Sequence, residues 1–208
     1  MSDVLLLAPV RGLASEVEPT LRELGSYAPE AVGVGLSQDE MNSLVQYFVA
    51  AEAEPLVPLT STETSEVRGL SRFGEVRVPN PSIVELMRWA QAQGVPVEAL
   101  DPSDDRTASL FTQHIGYVEL VRRTVKERAI SRKPPTPSTA DEYALEWDRE
   151  VAGGRGSRGF AQARDRHLAR GVQRLGAGRA RVAVVVDRER FALVRALLSG
   201  TVPEAIED

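Results

Sequence analysis

The chain has 208 residues, with 25 Lys and Arg against 30 Asp and Glu and a 42% hydrophobic content, the balance of one globular domain large enough for a sizeable core. It has no cysteine and only two histidines, His114 and His167, which excludes disulfides, thiolate metal sites, a cysteine nucleophile and a three-histidine zinc site. The net charge of −5 divides unevenly: residues 1–110 carry 7 basic and 17 acidic side chains, residues 111–208 carry 18 and 13.

The opening MSDVLLLAPV has too short an apolar run, and the wrong charge before it, for a signal peptide; Val4–Ala8 reads as a buried strand. Ser15 with Glu18 and Ser37 with Glu40 form capping signatures. Each precedes an apolar helical stripe: Val17, Leu21 and Leu24 in the first case, Met41, Leu44, Val45 and Phe48 in the second. Between them Ala31–Gly35 is the second strand. Leu56–Leu59 is a candidate strand that Pro58 keeps off a central position. A weak helix follows at Ser61–Arg72, then a short edge strand at Glu75–Val78. Ser82 with Glu85 opens a further helix, and Val97–Leu100 is a strand ending at Asp101.

From Ser103 to Ile130 the spacing predicts one long helix with Phe111, Ile115, Val118, Val121 and Val125 as its core stripe. Lys133–Pro137, with three prolines, reads as a linker. Tyr143, Trp147 and Val151 mark the next helix. GGRGSRG at 153–159 reads as a mobile connection; it suggests a phosphate cradle only loosely, lacking the Lys-Ser/Thr of a P-loop. Phe160–Leu175 is a helix, Val182–Val186 a strand and Phe191–Leu198 a last short helix.

Strands that are continuous apolar runs, alternating with helices, predict an α/β fold with a mostly parallel sheet flanked by helices. The expected organisation is a single domain over 1–208, with a mainly helical insertion at 103–175 before the last strand. No run approaches a membrane span, so the expectation is a soluble, cytoplasmic chain. The arginines of the basic half lack interleaved aromatic stacking platforms, which argues for paired helix faces and against nucleic acid.

Ligands in open α/β sheets sit beyond the carboxyl ends of the strands. The residues there are Arg11, Ser37, Asp101 with Asp104 and Asp105, and Asp187, Arg188, Glu189 and Arg190. Ser37 is more simply a helix cap than a nucleophile. The aspartates at 101–105 suit either a hard cation or a helix N-terminus. Arg164 falls on the apolar face defined by Phe160, Leu168, Val172 and Leu175, so it requires a carboxylate or a bound anion. His114 and His167 read as boundary residues rather than ligands.

Several segments in order, VLLLAPVRG, PEAVGVGLS, VELMRWAQAQGVPVEALD, RDRHLARGVQRL and VAVVVDRERFALVRALLSG, make the chain resemble the soluble domain of the TraB/PrgY/Tiki group, more distantly the erythromycin-esterase and ChaN-like proteins. The resemblance spans nearly the whole chain. Members carry Gly-x-x-His after the first strand, where this chain has Ala8, Pro9, Val10 and Arg11. The glutamate after their second strand corresponds to Gly35, and their second Gly-x-x-His to Val186, Asp187, Arg188 and Glu189. The Arg-Asp pair is kept as Arg164 and Asp165, with Ala169 after it, and Asp101 matches an acid at its strand end. Many longer relatives continue into membrane spans, whereas this chain ends with TVPEAIED.

The resemblance implies a proposed metal or hydrolytic site with both histidines and the glutamate replaced. A histidine pair with a carboxylate can hold a metal and activate water; an arginine, permanently protonated, can do neither. The expectation is a degenerate, non-catalytic domain acting in binding, regulation or assembly. It has no catalytic residue and no cofactor, and its pocket rim is Arg11, Asp101, Arg164, Asp187, Arg188 and Glu189. Its partner would be a protein, a peptide or a small anion, or a second copy in a homo-oligomer. The alternative is a divergent hydrolase of peptides or esters holding a divalent metal on Asp101, Asp187 and Glu189. A third possibility is a structural role in an assembly joined through the helical insertion.

Overall fold

The computed structural model describes residues 2–49, 61–132 and 136–201. Four strands, β1 (Asp3–Leu7), β2 (Ala31–Val34), β3 (Val97–Ala99) and β4 (Arg181–Val185), form one all-parallel sheet in the order β1-β4-β2-β3. The last strand in sequence is therefore central: Val4 pairs with Val182 on one side and Ala31 with Val182 on the other. That position explains its composition. Val182, Ala183, Val184 and Val185 are all buried, and each valine so enclosed stabilises by roughly 1.5–3 kcal/mol relative to exposure.

Helices cover both faces, as a parallel sheet requires. Ala183 and Val185 point with Val32 and Val34 toward α1 (Val17–Tyr27), through Leu24, and toward α4 (Pro81–Gln93), through Ile83 and Leu86. Val184 and Val186 point the other way, against Leu168 and Val172 of α8 (Arg155–Gly176) and Val194 of α9 (Phe191–Leu198). The remaining helices are α2 (Gln38–Val49), α3 (Ser61–Leu70), α5 (Asp104–His114), α6 (Tyr117–Arg132) and α7 (Ala140–Ala152). A second core lies past the end of β1, where Val10 and Leu13 meet Leu70 of α3, Ile130 of α6 and Tyr143 and Trp147 of α7. Thus α3 joins α6 and α7 in a satellite, while α8 lies on the sheet.

Several local expectations change. Ser15 and Glu18 do not cap α1: a 3-10 turn at Ala14–Glu16 leads into it, and Glu16 occupies the cap position without a side-chain bond. α4 begins at Pro81, capped by Asn80 accepting from Ser82 N at 3.1 Å, because proline suits the first helical position. Glu75–Val78 is reduced to one antiparallel bridge between Leu13 and Val76. Leu56–Leu59 lies outside the described residues. The single helix expected over 103–130 is two, broken at Ile115 and Gly116, and only Ile115 of the second half of its stripe is buried; Val118, Val121 and Val125 are exposed.

GGRGSRG is not a mobile connection, since α8 starts inside it at Arg155. Its glycines serve close packing. A Cβ on Gly156 would collide with the His114 carbonyl and the Glu119 carboxylate. Glu119 instead accepts from Gly156 N (2.8 Å), Ser157 N (2.7 Å) and Ser157 Oγ (2.9 Å). The anion at this helix N-terminus is internal, and a carboxylate there is favoured by the helix dipole and the unsatisfied N–H groups.

Candidate functional site

The parallel sheet brings the carboxyl ends of its strands to one rim, and two charged assemblies sit there. The first is buried. Asp101 follows β3, Arg190 ends the 3-10 turn Arg188–Arg190 after β4, and Arg164 and Asp165 project from α8. Arg190 donates to Asp101 Oδ2 and Oδ1 at 2.8 and 2.7 Å. Its Nε donates to Asp165 Oδ1 at 2.7 Å, and its Nη1 reaches the Gly35 carbonyl at 3.4 Å. Arg164 also donates to Asp101 Oδ2 and lies over the Phe160 ring, 5.8 Å from its centroid. Two guanidiniums and two carboxylates make the quartet neutral, the condition under which buried charge is tolerated.

Burial works against the Asp101 carboxylate, but Arg190 and Arg164 overcome it and hold its pKa below the usual range. Burial also opposes the charge on Arg190, and Asp101 and Asp165 reverse that and raise its pKa. Arg164 therefore has the carboxylate partner its place on an apolar face demands. Asp101 is neither a helix cap nor an available metal ligand, because guanidinium groups take both its oxygens. Ser103 caps α5 instead, accepting from Arg106 N at 3.4 Å.

The second assembly surrounds a cavity of about 430 Å³. Arg11, from the turn after β1, and Glu189, from the turn after β4, both line it; Glu63 and Glu66 enter from α3, Arg123 and Glu127 from α6, and Trp147 and Asp148 from α7. Arg123 and Glu127 pair with each other at 2.9 Å. The other carboxylates outnumber Arg11. Burial, then the charge of Asp187, pushes the Glu189 carboxyl up to about 8. Burial raises Glu66 against the pull of Arg11, and raises Asp148 against Arg123. Asp187 in turn is the strongest influence raising the Arg11 guanidinium. Tyr143, fully buried behind α3, is pushed up to about 12 by burial and then by the charge of Glu66.

The expected rim thus divides. Arg11, Asp187 and Glu189 belong to the cavity side, and Asp101 and Arg164 to the buried quartet. Arg188, half-buried, pairs with Asp141 of α7 at 3.0 Å and packs over the Phe191 ring. Ser37 caps α2: its Oγ accepts from Glu40 N at 3.1 Å and donates to Asp104 Oδ1 at 2.9 Å, while its N–H donates to Glu40 Oε2 at 2.7 Å. His167 is half-buried, and burial followed by Arg174 lowers its pKa. Among the described residues, no three His, Asp or Glu side chains are placed to hold a metal ion.

Sequence reasoning placed Arg190 beyond the end of β4 but left it off the expected rim, and it missed Glu66 and Asp148. For Arg190 a signal existed. It stands four residues before the buried Val194, on the apolar stripe of α9, where an arginine needs a partner just as Arg164 does. Glu66 has the weaker form of the same signal, four residues before the buried Leu70.

The fold and this rim define an α/β domain with a four-stranded parallel sheet and a charged cavity past the ends of β1 and β4. Comparison of the chain with protein-family models gives no match, and comparison with curated proteins gives none either.

Proposed function

We propose that this chain is a non-catalytic, TraB-like binding domain. The observation that carries the reading is the relation of Arg190 to Gly35. The resemblance puts a glutamate of a metal or hydrolytic site at position 35. Here a Cβ at that position would come to 3.0 Å from Arg190 Nη1, so the guanidinium occupies the space that a side chain would need, and Asp101 and Asp165 pin it there.

The two positions aligned with the family's histidines, Arg11 and Glu189, line one cavity. Arginine cannot ligate a metal or accept a proton, and a glutamate with its pKa raised to about 8 is largely protonated at neutral pH. The carboxylate metal set of Asp101, Asp187 and Glu189 loses Asp101 to its guanidinium partners. The cavity's excess of carboxyl groups suits a positively charged group on a peptide or protein better than a small anion, since a further negative charge would raise those pKa values still more.

The test is equilibrium dialysis against manganese, zinc and magnesium, combined with turnover assays on mixed peptide and ester substrates. The expected result is no stoichiometric metal and no hydrolysis. Stoichiometric metal together with hydrolysis that disappears in Asp187→Ala or Glu189→Ala would overturn the proposal.

A further inference from the structure

The side of α6 turned away from the cavity carries a line of exposed apolar side chains. Tyr117 is 81% exposed, Val118 71%, Val121 47% and Val125 61%. These are large apolar side chains on a helix whose opposite side already meets the protein: Ile130 is buried in the satellite core, Arg123 and Glu127 line the cavity, and Glu119 caps α8. Val118, Val121 and Val125 stand at i, i+3 and i+7, the spacing of a helix–helix seam. The same line continues one step at a time through Arg128 and Arg132, both exposed.

Every charge on this side is positive. Arg122 and Lys126 flank the seam, Arg128 and Arg132 extend it, and all four are exposed. The two acids of the helix, Glu119 and Glu127, are engaged on its other side. Arg155 and Arg158, exposed in the first turn of α8, add two cations near the start of the helix. A face of this kind repels its own copy laid parallel to it. Laid antiparallel, it would place Arg128 and Arg132 over Tyr117 and Val118, where α6 offers no carboxylate. A bilayer is no better an occupant, because the arginines lie on the apolar line itself and the Trp, Phe and Leu that drive interfacial insertion are absent from it.

We propose that this face docks an amphipathic helix of a partner protein, apolar over Tyr117, Val118, Val121 and Val125 and acidic over Arg128 and Arg132. The apolar contact supplies the affinity and the paired charges set the direction of the incoming helix.

The test uses the full chain and a labelled three-heptad synthetic helix with Leu at the seam positions of one half and Glu at those of the other, read by fluorescence anisotropy. Saturable binding is expected. It should weaken at least about 10-fold in Val121→Ser/Val125→Ser, in Arg128→Glu/Arg132→Glu, and when Lys replaces Glu in the peptide. Because the substituted residues are exposed, the thermal melt should not move; the two variant pairs act through different chemistry and check each other. No saturable binding, or equal binding of the Lys peptide, overturns the proposal. So does co-sedimentation with phosphatidylglycerol vesicles that the valine variants abolish without any peptide binding, and so does a dimer in sedimentation velocity that those variants dissociate.

Discussion

Arg190 and Asp101 lie 89 residues apart in sequence and face each other through two N–H···O bonds of 2.8 and 2.7 Å. They lie beyond the ends of β4 and β3, with β2 between the two strands, and both side chains are buried. Removing one partner of such a pair leaves an uncompensated buried charge, costing typically about 3–5 kcal/mol. Arg190→Met and Asp101→Asn are each expected to destabilise by that amount, read as a fall in the midpoint of urea denaturation. Arg190→Lys should not rescue, because an ammonium cannot make the paired bonds of the guanidinium fork. The double variant Asp101→Asn/Arg190→Met should cost less than the sum of the two.

Position 35 tests the packing around that pair. Gly35→Ala places a Cβ against a guanidinium held by two carboxylates, and an expected cost of roughly 1–3 kcal/mol follows from overpacking. Gly35→Glu, the residue implied by the family resemblance, should destabilise at least as much and should not confer metal binding in equilibrium dialysis.

Stability should fall as pH rises across the range set by Glu189. Its pKa in the folded protein is about 8, against an ordinary 4.5, so between these values the folded state holds more protons than the unfolded one. The contribution is complete below about pH 4.5, declines through the interval and is gone above about pH 8. Glu66 and Asp148 are raised as well and act in the same direction. Glu189→Gln should therefore flatten the pH dependence of the melting temperature and stabilise the protein at pH 8.5 by about 1 kcal/mol or more. A wild-type melting temperature that rises steadily from pH 5 to pH 8 would contradict this account.

The N-terminus of α8 depends on close approach. Gly156→Ala forces a methyl group against the His114 carbonyl and the Glu119 carboxylate, with an expected loss of roughly 1–3 kcal/mol. Glu119→Ala should speed hydrogen exchange at the Gly156 and Ser157 amides while leaving exchange in the β4 amides unchanged, since the lost bonds are local to that turn.

Much of the α/β frame was legible because local signals and burial agree. The apolar run at Val182 forms the central strand β4, whereas the run at Val4, read as a buried strand, forms the half-buried edge strand β1. The Ser37 to Glu40 capping box forms as its spacing requires. The long helix misled because apolar periodicity cannot tell a core stripe from a docking face. Val118, Val121 and Val125 have ideal spacing, yet the break at Ile115–Gly116 turns them to solvent. The glycine-rich segment misled because glycine permits mobility and close packing alike, and only the neighbouring His114 and Glu119 decide between them.

The sequence by itself determined the covered parallel sheet, the rim where charged residues gather, and the need of Arg164 for a carboxylate or a bound anion, because hydrophobic period and the cost of burying a lone charge act on local pattern. Which carboxylate answered, and that Arg190 would take the same one over the space left by Gly35, was decided only by the tertiary structure. Strand order places β4 beside β2 and thereby brings together side chains that no spacing along the chain relates. The same packing separated Glu189 from Asp101 in role, enclosing one with other acids and the other with guanidiniums.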